Sequence, residues 1–369
     1  MNSVAVRRAA LLGVAAVVSG CDLITLATNP APSFEQTWNL PAASQTISVA
    51  DLLPPSNVTI LPDSSAFALT MDSTSISAVL GPNCAACVLK SGTSDIKPGF
   101  TMAPGNSTSL PPDITGAAIS AGQIVIKLTN NLTFDPLYVN TTPGAPVQGH
   151  LVIIVRSASI VLGRDSIRGA AAVSGVNMPF APGTTITRTI NLTTGDISGN
   201  IAVDVQVDSP QGDHAVPIDA NRTFNASASV PSIHVASVQM NVPNRTMDSG
   251  TNEELPLGEM SSDAIVEGRL IMDITNPFVG VTGNLGVLFK YGPAATDTVH
   301  RVISLPSGAT QQRVVVLDSA AMQKILVDGV ILQVTGTVNS ASPVTVTPTQ
   351  AVAISNRFVL KIRTPTGDK

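Results

Sequence analysis

Charge and aromatic rings are both scarce in this chain: Lys, Arg, Asp and Glu make up 12% of its 369 residues, and Phe, Trp and Tyr only 3%. With a formal net charge of −5 and no cationic run beyond Arg7–Arg8, nothing in it matches a phosphate backbone, which argues against a nucleic-acid partner. After residue 20 no uninterrupted apolar stretch approaches the ~18 residues that a membrane-crossing helix needs, so membrane attachment has to come from the N-terminus. The four histidines, His150, His214, His234 and His300, are widely scattered. Gly-x-Ser-x-Gly elbows, His-Glu-x-x-His pairs and phosphate-cradling glycine loops are all missing. The sequence therefore predicts no catalytic, cofactor-binding or metal-ligating set, and a non-enzymatic role. The acidic group Asn252-Glu253-Glu254 with Glu259 lacks the Asp-x-Asp spacing of a calcium site and reads as a solvated loop. Asp213-His214 reads as a turn between strands.

What is abundant is Val, Ile, Ala and Leu in short runs, broken by 28 Gly and 27 Pro. Short β-branched segments punctuated by turn formers favour many strands over long helices, so the predicted class is all-β. A chain this long exceeds one ordinary core and suits two domains.

Residues 1–21 read MNSVAVRRAALLGVAAVVSGC: two arginines, an apolar run from Ala9 to Val18, then small residues before a cysteine, the order of parts in an export signal. Val18-Ser19-Gly20-Cys21 resembles the lipobox of bacterial lipoproteins. The resemblance implies a signal peptide cleaved after residue 20 and acyl chains, palmitate among them, on Cys21. It also implies a place in the bacterial cell envelope, lipid-anchored on the periplasmic or surface side. Several acyl chains on one residue, at ~0.8 kcal/mol per buried methylene, hold a protein on a membrane where one chain does not. Asp22 stands where enteric lipoproteins carry an inner-membrane retention signal, a rule that does not hold across bacteria, so inner and outer membrane both stay open. Residues 21–36, with Asn29-Pro30-Ala31-Pro32-Ser33, lack period and read as a lipidated tether.

Cys84 and Cys87 remain. In an oxidising compartment they predict a local disulfide that pins a turn. The alternative is a redox Cys-x-x-Cys pair, which requires a helix N-terminus and a nearby positive charge to lower one thiol's pKa.

Self-comparison points to a duplication. The segment 118–131 lines up with 264–277 at a shift of 146, and Ile124, Ile126 and Leu128 fall in phase with Leu270, Met272 and Ile274. Ile201, Val203 and Val207 match Leu332, Val334 and Val338 at a shift of 131, which gives the first copy 15 extra residues between the blocks. Thr46-Ile47-Ser48-Val49-Ala50 matches Ser232-Ile233-His234-Val235-Ala236 as the opening strand of each copy, with about 40 further residues early in the first. The reading is two sandwiches in tandem, 37–230 with an insert holding Cys84 and Cys87, and 231–369, divided near Ser227–Ser232.

Leu270-Ile271-Met272-Asp273-Ile274-Thr275-Asn276-Pro277-Phe278, followed by Leu285 through Tyr291-Gly292, resembles the late embryogenesis abundant type 2 (water stress and hypersensitive response) domain over residues 233–362. The first copy departs from that pattern, with Asn131 where the second has Pro277. The resemblance implies immunoglobulin-like antiparallel sandwiches without catalytic apparatus; strand pattern alone reaches a sandwich or barrel. The expected role is an envelope-anchored binding or structural module that presents loops or sheet edges to a protein or glycan. A lipid-handling protein with an acyl-sized apolar cavity is the alternative.

Overall fold

The computed structural model describes residues 34–42, 44–54, 57–138, 147–169, 180–250, 253–255, 264–294, 296–326 and 330–364. The export signal, Cys21, Asn252 and Glu259 lie outside the described residues. The chain is all-β and its ladders run antiparallel. Ile124, Ile126, Leu128, Leu270, Met272 and Ile274 are all fully buried, so the alternation seen in the sequence is the alternation of core and surface.

The first sandwich opposes two sheets. One runs β11 (Thr185–Asn191), β8 (Ile114–Asn130), β15 (Thr223–Met240), β4 (Phe67–Val79), β3 (Val58–Ile60), with β12 (Gly195–Ser198) also on β8. The other runs β10 (Ile160–Arg168), β9 (His150–Ser157), β13 (Asn200–Ser209), β6 (Phe100–Met102), with β7 (Gly105–Ser109) also on β13. A two-stranded ribbon, β5 (Ser94–Ile96) with β14 (Ala215–Pro217), stands beside them.

The second sandwich repeats this plan. Its first sheet runs β21 (Thr310–Leu317), β18 (Ile265–Thr275), β24 (Ala351–Thr364), β1 (Phe34–Pro41), with β2 (Gln45–Ser48) also on β24. Its second runs β20 (Thr298–Leu305), β19 (Val281–Lys290), β22 (Val330–Ser340), β16 (Arg245–Asp248), with β17 (Glu253–Leu255) also on β22. Phe289 and Phe358 meet edge to face across the sheets at 6.5 Å. Strand for strand, β11-β8-β15-β4 corresponds to β21-β18-β24-β1, so the duplication extends to topology.

Three boundaries differ from the sequence reading. Residues 46–48 do not open the first copy: Thr46 pairs with Ala353 and Trp38 with Leu360, so β1 and β2 complete the C-terminal sandwich. Ile47 and Val49, fully buried, are the apolar positions that make this pairing favourable. Strand structure begins at Phe34, inside the expected tether. The division near 227–232 falls inside β15, which continues to Met240. Pro231 had marked it as a break, but Pro231 sits in an irregularity of the β15 ladders, where a missing N–H is tolerated. Burial shifts phase there, from Phe224, Ala226, Ala228 and Val230 to Ile233 and Val235. Finally, Glu253 and Glu254 belong to β17 and not to a loop.

The two sandwiches are joined beyond Met240. β23 (Val344–Val346) leaves the second to pair with β15 of the first, Arg245 bonds Asp113 at 2.9 Å, and Ser340 exchanges hydrogen bonds with Val242.

Candidate functional site

Two parts of the first sandwich that the second lacks converge on one cleft. The β8–β9 connection, 131–149, has 19 residues, whereas β18–β19, 276–280, has 5. That difference of 14 accounts for nearly all of the extra length expected between the repeat blocks. The second part is the β5–β14 ribbon. Between them opens a cleft of about 250 Å³, lined by Lys97, Phe134, Asp135, Tyr138, Pro182 and His214 among others.

Asp135 is 2% exposed and is held by an Asx-type turn. Its Oδ1 accepts from Leu137 N at 2.8 Å and its Oδ2 from Phe180 N at 3.1 Å. Burial pushes its carboxyl above the usual range, against the pull of those two N–H groups and of Lys97. Lys97, 2% exposed, donates from Nζ to Ser209 Oγ and to Pro210 O, both at 2.6 Å, and lies 5.9 Å from the Phe134 ring centroid. Burial lowers its ammonium to about 8, with Asp135 opposing. The two groups feel each other's charge without forming an ion pair, each anchored by its own neutral partners.

On the other wall, the Tyr138 ring meets the His214 ring edge to face at 4.4 Å. His214 Nδ1 stands 3.0 Å from Asp213 Oδ1, and Asp213 also hydrogen-bonds the Tyr138 side chain. Burial, then Asp213, raises the Tyr138 hydroxyl above its usual range. Asp213-His214 is thus a turn, as read, that also orients a tyrosine. The cleft offers a cation, an anion, ring edges and the apolar faces of Val216 and Pro217 within one small space. Lys97, Asp135 and Tyr138 were not singled out from the sequence. Their signal was isolation: in a chain this poor in charge, Ile96-Lys97-Pro98 and Phe134-Asp135-Pro136 each set one charge among apolar neighbours.

Cys84 and Cys87 are joined by a disulfide. They link α1 (Leu80–Asn83) to α2 (Ala85–Leu89), and Cys84 Sγ accepts from Cys87 N as the α2 cap. The helix N-terminus that a redox pair needs is present, but the cysteines are 4% and 0% exposed within the core. An attacking thiolate reaches them only after local opening. Among the described residues no group of three or more His, Cys, Asp or Glu is placed to hold a metal ion, and no helix is long and apolar enough to cross a membrane.

No family model matches the chain, and no curated protein matches it. Among solved structures, it is similar to a protein of Parabacteroides distasonis described as secreted, at 8% identity and a TM-score of 0.31, over 88% of this chain and 99% of that one. It is also similar to the glycosylasparaginase PNGase F of Flavobacterium meningosepticum, at 12% identity and a TM-score of 0.19, over 79% and 96%.

Proposed function

We propose that this protein is a non-enzymatic module of the bacterial envelope, anchored through lipid on Cys21, that binds one sugar unit of an envelope glycan in the Lys97–Asp135 cleft. The observation that carries the binding role is the pairing of a buried ammonium and a buried carboxylate that line one cleft without neutralising each other. A pyranose hydroxyl both donates and accepts, so it can satisfy the two groups together. Its C–H face can rest on Pro217, Val216 and the Tyr138 ring. About 250 Å³ accommodates a single ring and not a protein segment. The anchoring role is supported by Val18-Ser19-Gly20-Cys21. The lipid-handling alternative draws no support from the packing, because Ile153, Val205, Leu285 and Val334 between the sheets are fully buried among other side chains.

Metabolic palmitate labelling tests the anchor: wild type incorporates label and Cys21→Ala does not. Unlabelled wild type overturns anchoring. N-acetylglucosamine oligomers and muropeptides, titrated into the mature chain, test the cleft. Lys97→Met or Asp135→Asn should weaken binding about tenfold or more, the worth of one charge-assisted hydrogen bond. Titrations of both probes that leave the Tyr138 and His214 signals unmoved overturn the glycan assignment.

A further inference from the structure

The single tryptophan of the chain is exposed, on the strand nearest Cys21. Trp38 is 47% and Phe34 59% exposed, and both project from one face of β1. Register sets Trp38 opposite Leu360 and Gln36 opposite Ile362, so this is the core-facing row of the sheet. That row is buried at Leu360 and comes out from under the opposing sheet at β1, the edge strand.

The other face of the same edge carries charge. Glu35 is held by Lys361 at 2.6 Å and by Arg363 at 3.2 Å. Arg269 with Glu267, and exposed Arg357, stand further across the sheet. Four cations face two carboxylates on this strip, which makes it locally positive. The mature chain as a whole is negative: 20 Lys and Arg less Arg7 and Arg8 leave 18 against 25 Asp and Glu, a net −7.

We infer that this edge of β1 rests on the lipid surface, with Phe34 and Trp38 at the boundary of headgroups and acyl chains and the cations of β24 against anionic headgroups. The inference deepens, and rests on, the reading of Cys21 as a lipid anchor. Residues 21–33 are thirteen in number and span at most ~45 Å, so the anchor delivers β1 to the bilayer before any other described element. Amphipathic indole and phenyl rings settle at that boundary. Cations beside them are attracted to an anionic leaflet within about a Debye length of it. A second copy covering the same aromatic row is the competing occupant.

The test supplies the anchor chemically. With Cys84 and Cys87 in a disulfide, Cys21 carries the one free thiol of the mature chain, residues 21–369. It can be coupled to a maleimide phospholipid in vesicles of phosphatidylethanolamine and phosphatidylglycerol. Trp38 emission then reports from a single site. The expected result is a blue shift on coupling, and quenching by lipids brominated near the headgroup end of the acyl chain. Phe34→Ser should diminish both. Emission like that of the uncoupled protein, unquenched by bromine, overturns the inference. So does a blue shift that grows with surface density and resists quenching, which indicates a second copy. Because coupling bypasses cellular acylation, a failed palmitate experiment leaves this result readable by itself.

Discussion

Asn130 and Asn276 make the same three hydrogen bonds at equivalent places in the two sandwiches. Asn130 Oδ1 accepts from Leu132 N at 2.9 Å, while its Nδ2 donates to Phe134 O and Phe180 O. Asn276 Oδ1 accepts from Phe278 N at 3.0 Å, while its Nδ2 donates to Val281 O and Pro306 O. Both are buried, and each tethers the end of its strand to the turn that follows and to a neighbouring loop. Asn130→Ala and Asn276→Ala should each cost about 2–4 kcal/mol by urea denaturation, since each leaves buried backbone groups unpaired. A cost under about 1 kcal/mol at either site would refute this equivalence of roles.

The residue after each asparagine explains why the first copy lacks the proline. Asn131 N donates to Thr223 O at 3.2 Å, a bond Pro277 cannot make at its own place. Asn131→Pro should therefore destabilise by about 1 kcal/mol or more, although proline is native at the matching site. A neutral result would mean that this bond contributes nothing.

Lys97 makes a prediction in pH. Its folded pKa, about 8, lies below the ordinary 10.5, so the unfolded chain holds the proton more tightly. Below pH 8 the burial penalty is fully present, and it is relieved as pH rises from about 8 to 10.5. Asp135 stays ionised across that window and does not alter the sign. Wild type should therefore gain stability relative to Lys97→Met over this range, by about 3 kcal/mol for a shift of this size. Parallel stability curves for the two proteins would show that the ammonium is not destabilised.

The disulfide should matter locally. Closing a loop this short stabilises by about 2 kcal/mol in the chain-entropy model. With Cys84→Ser and Cys87→Ser together, amide exchange should rise around α1, α2 and the adjoining end of β4, with β18 and β24 unchanged. Loss of protection in the second sandwich would contradict this.

A fragment of residues 231–369 should fail to fold cooperatively. It lacks β1 and β2, with buried Ile47, and it cuts β15 at its irregularity. Linking residues 34–54 to it should restore a sharp thermal transition. Cooperative unfolding of the bare fragment would mean that the N-terminal strands are dispensable.

Much of the fold was legible because period-two burial is written directly into Ile124-Val125-Ile126 and Leu270-Ile271-Met272. The opening strand was misplaced because Thr46-Ile47-Ser48 carries its apolar phase but no record of its partner; pairing with β24 is a long-range choice made by burial. Pro231 misled for a related reason: local chemistry marks a break, and a ladder irregularity absorbs it. The cleft escaped notice because Lys97, Asp135 and Tyr138 belong to no motif and are gathered by the β8–β9 connection and the β5–β14 ribbon.

Phe34 pairs with Thr364, a partner 330 residues away. A polypeptide threaded through a secretion channel N-terminus first delivers β1 at the start and β24 at the finish, so the earliest strand waits for the latest. Closing so long a loop is slow compared with the local hairpins of β9 with β10 or β19 with β20. A product truncated before Ala351 would keep its leading strands without a template, leaving an unfinished sheet margin open to association with neighbouring chains.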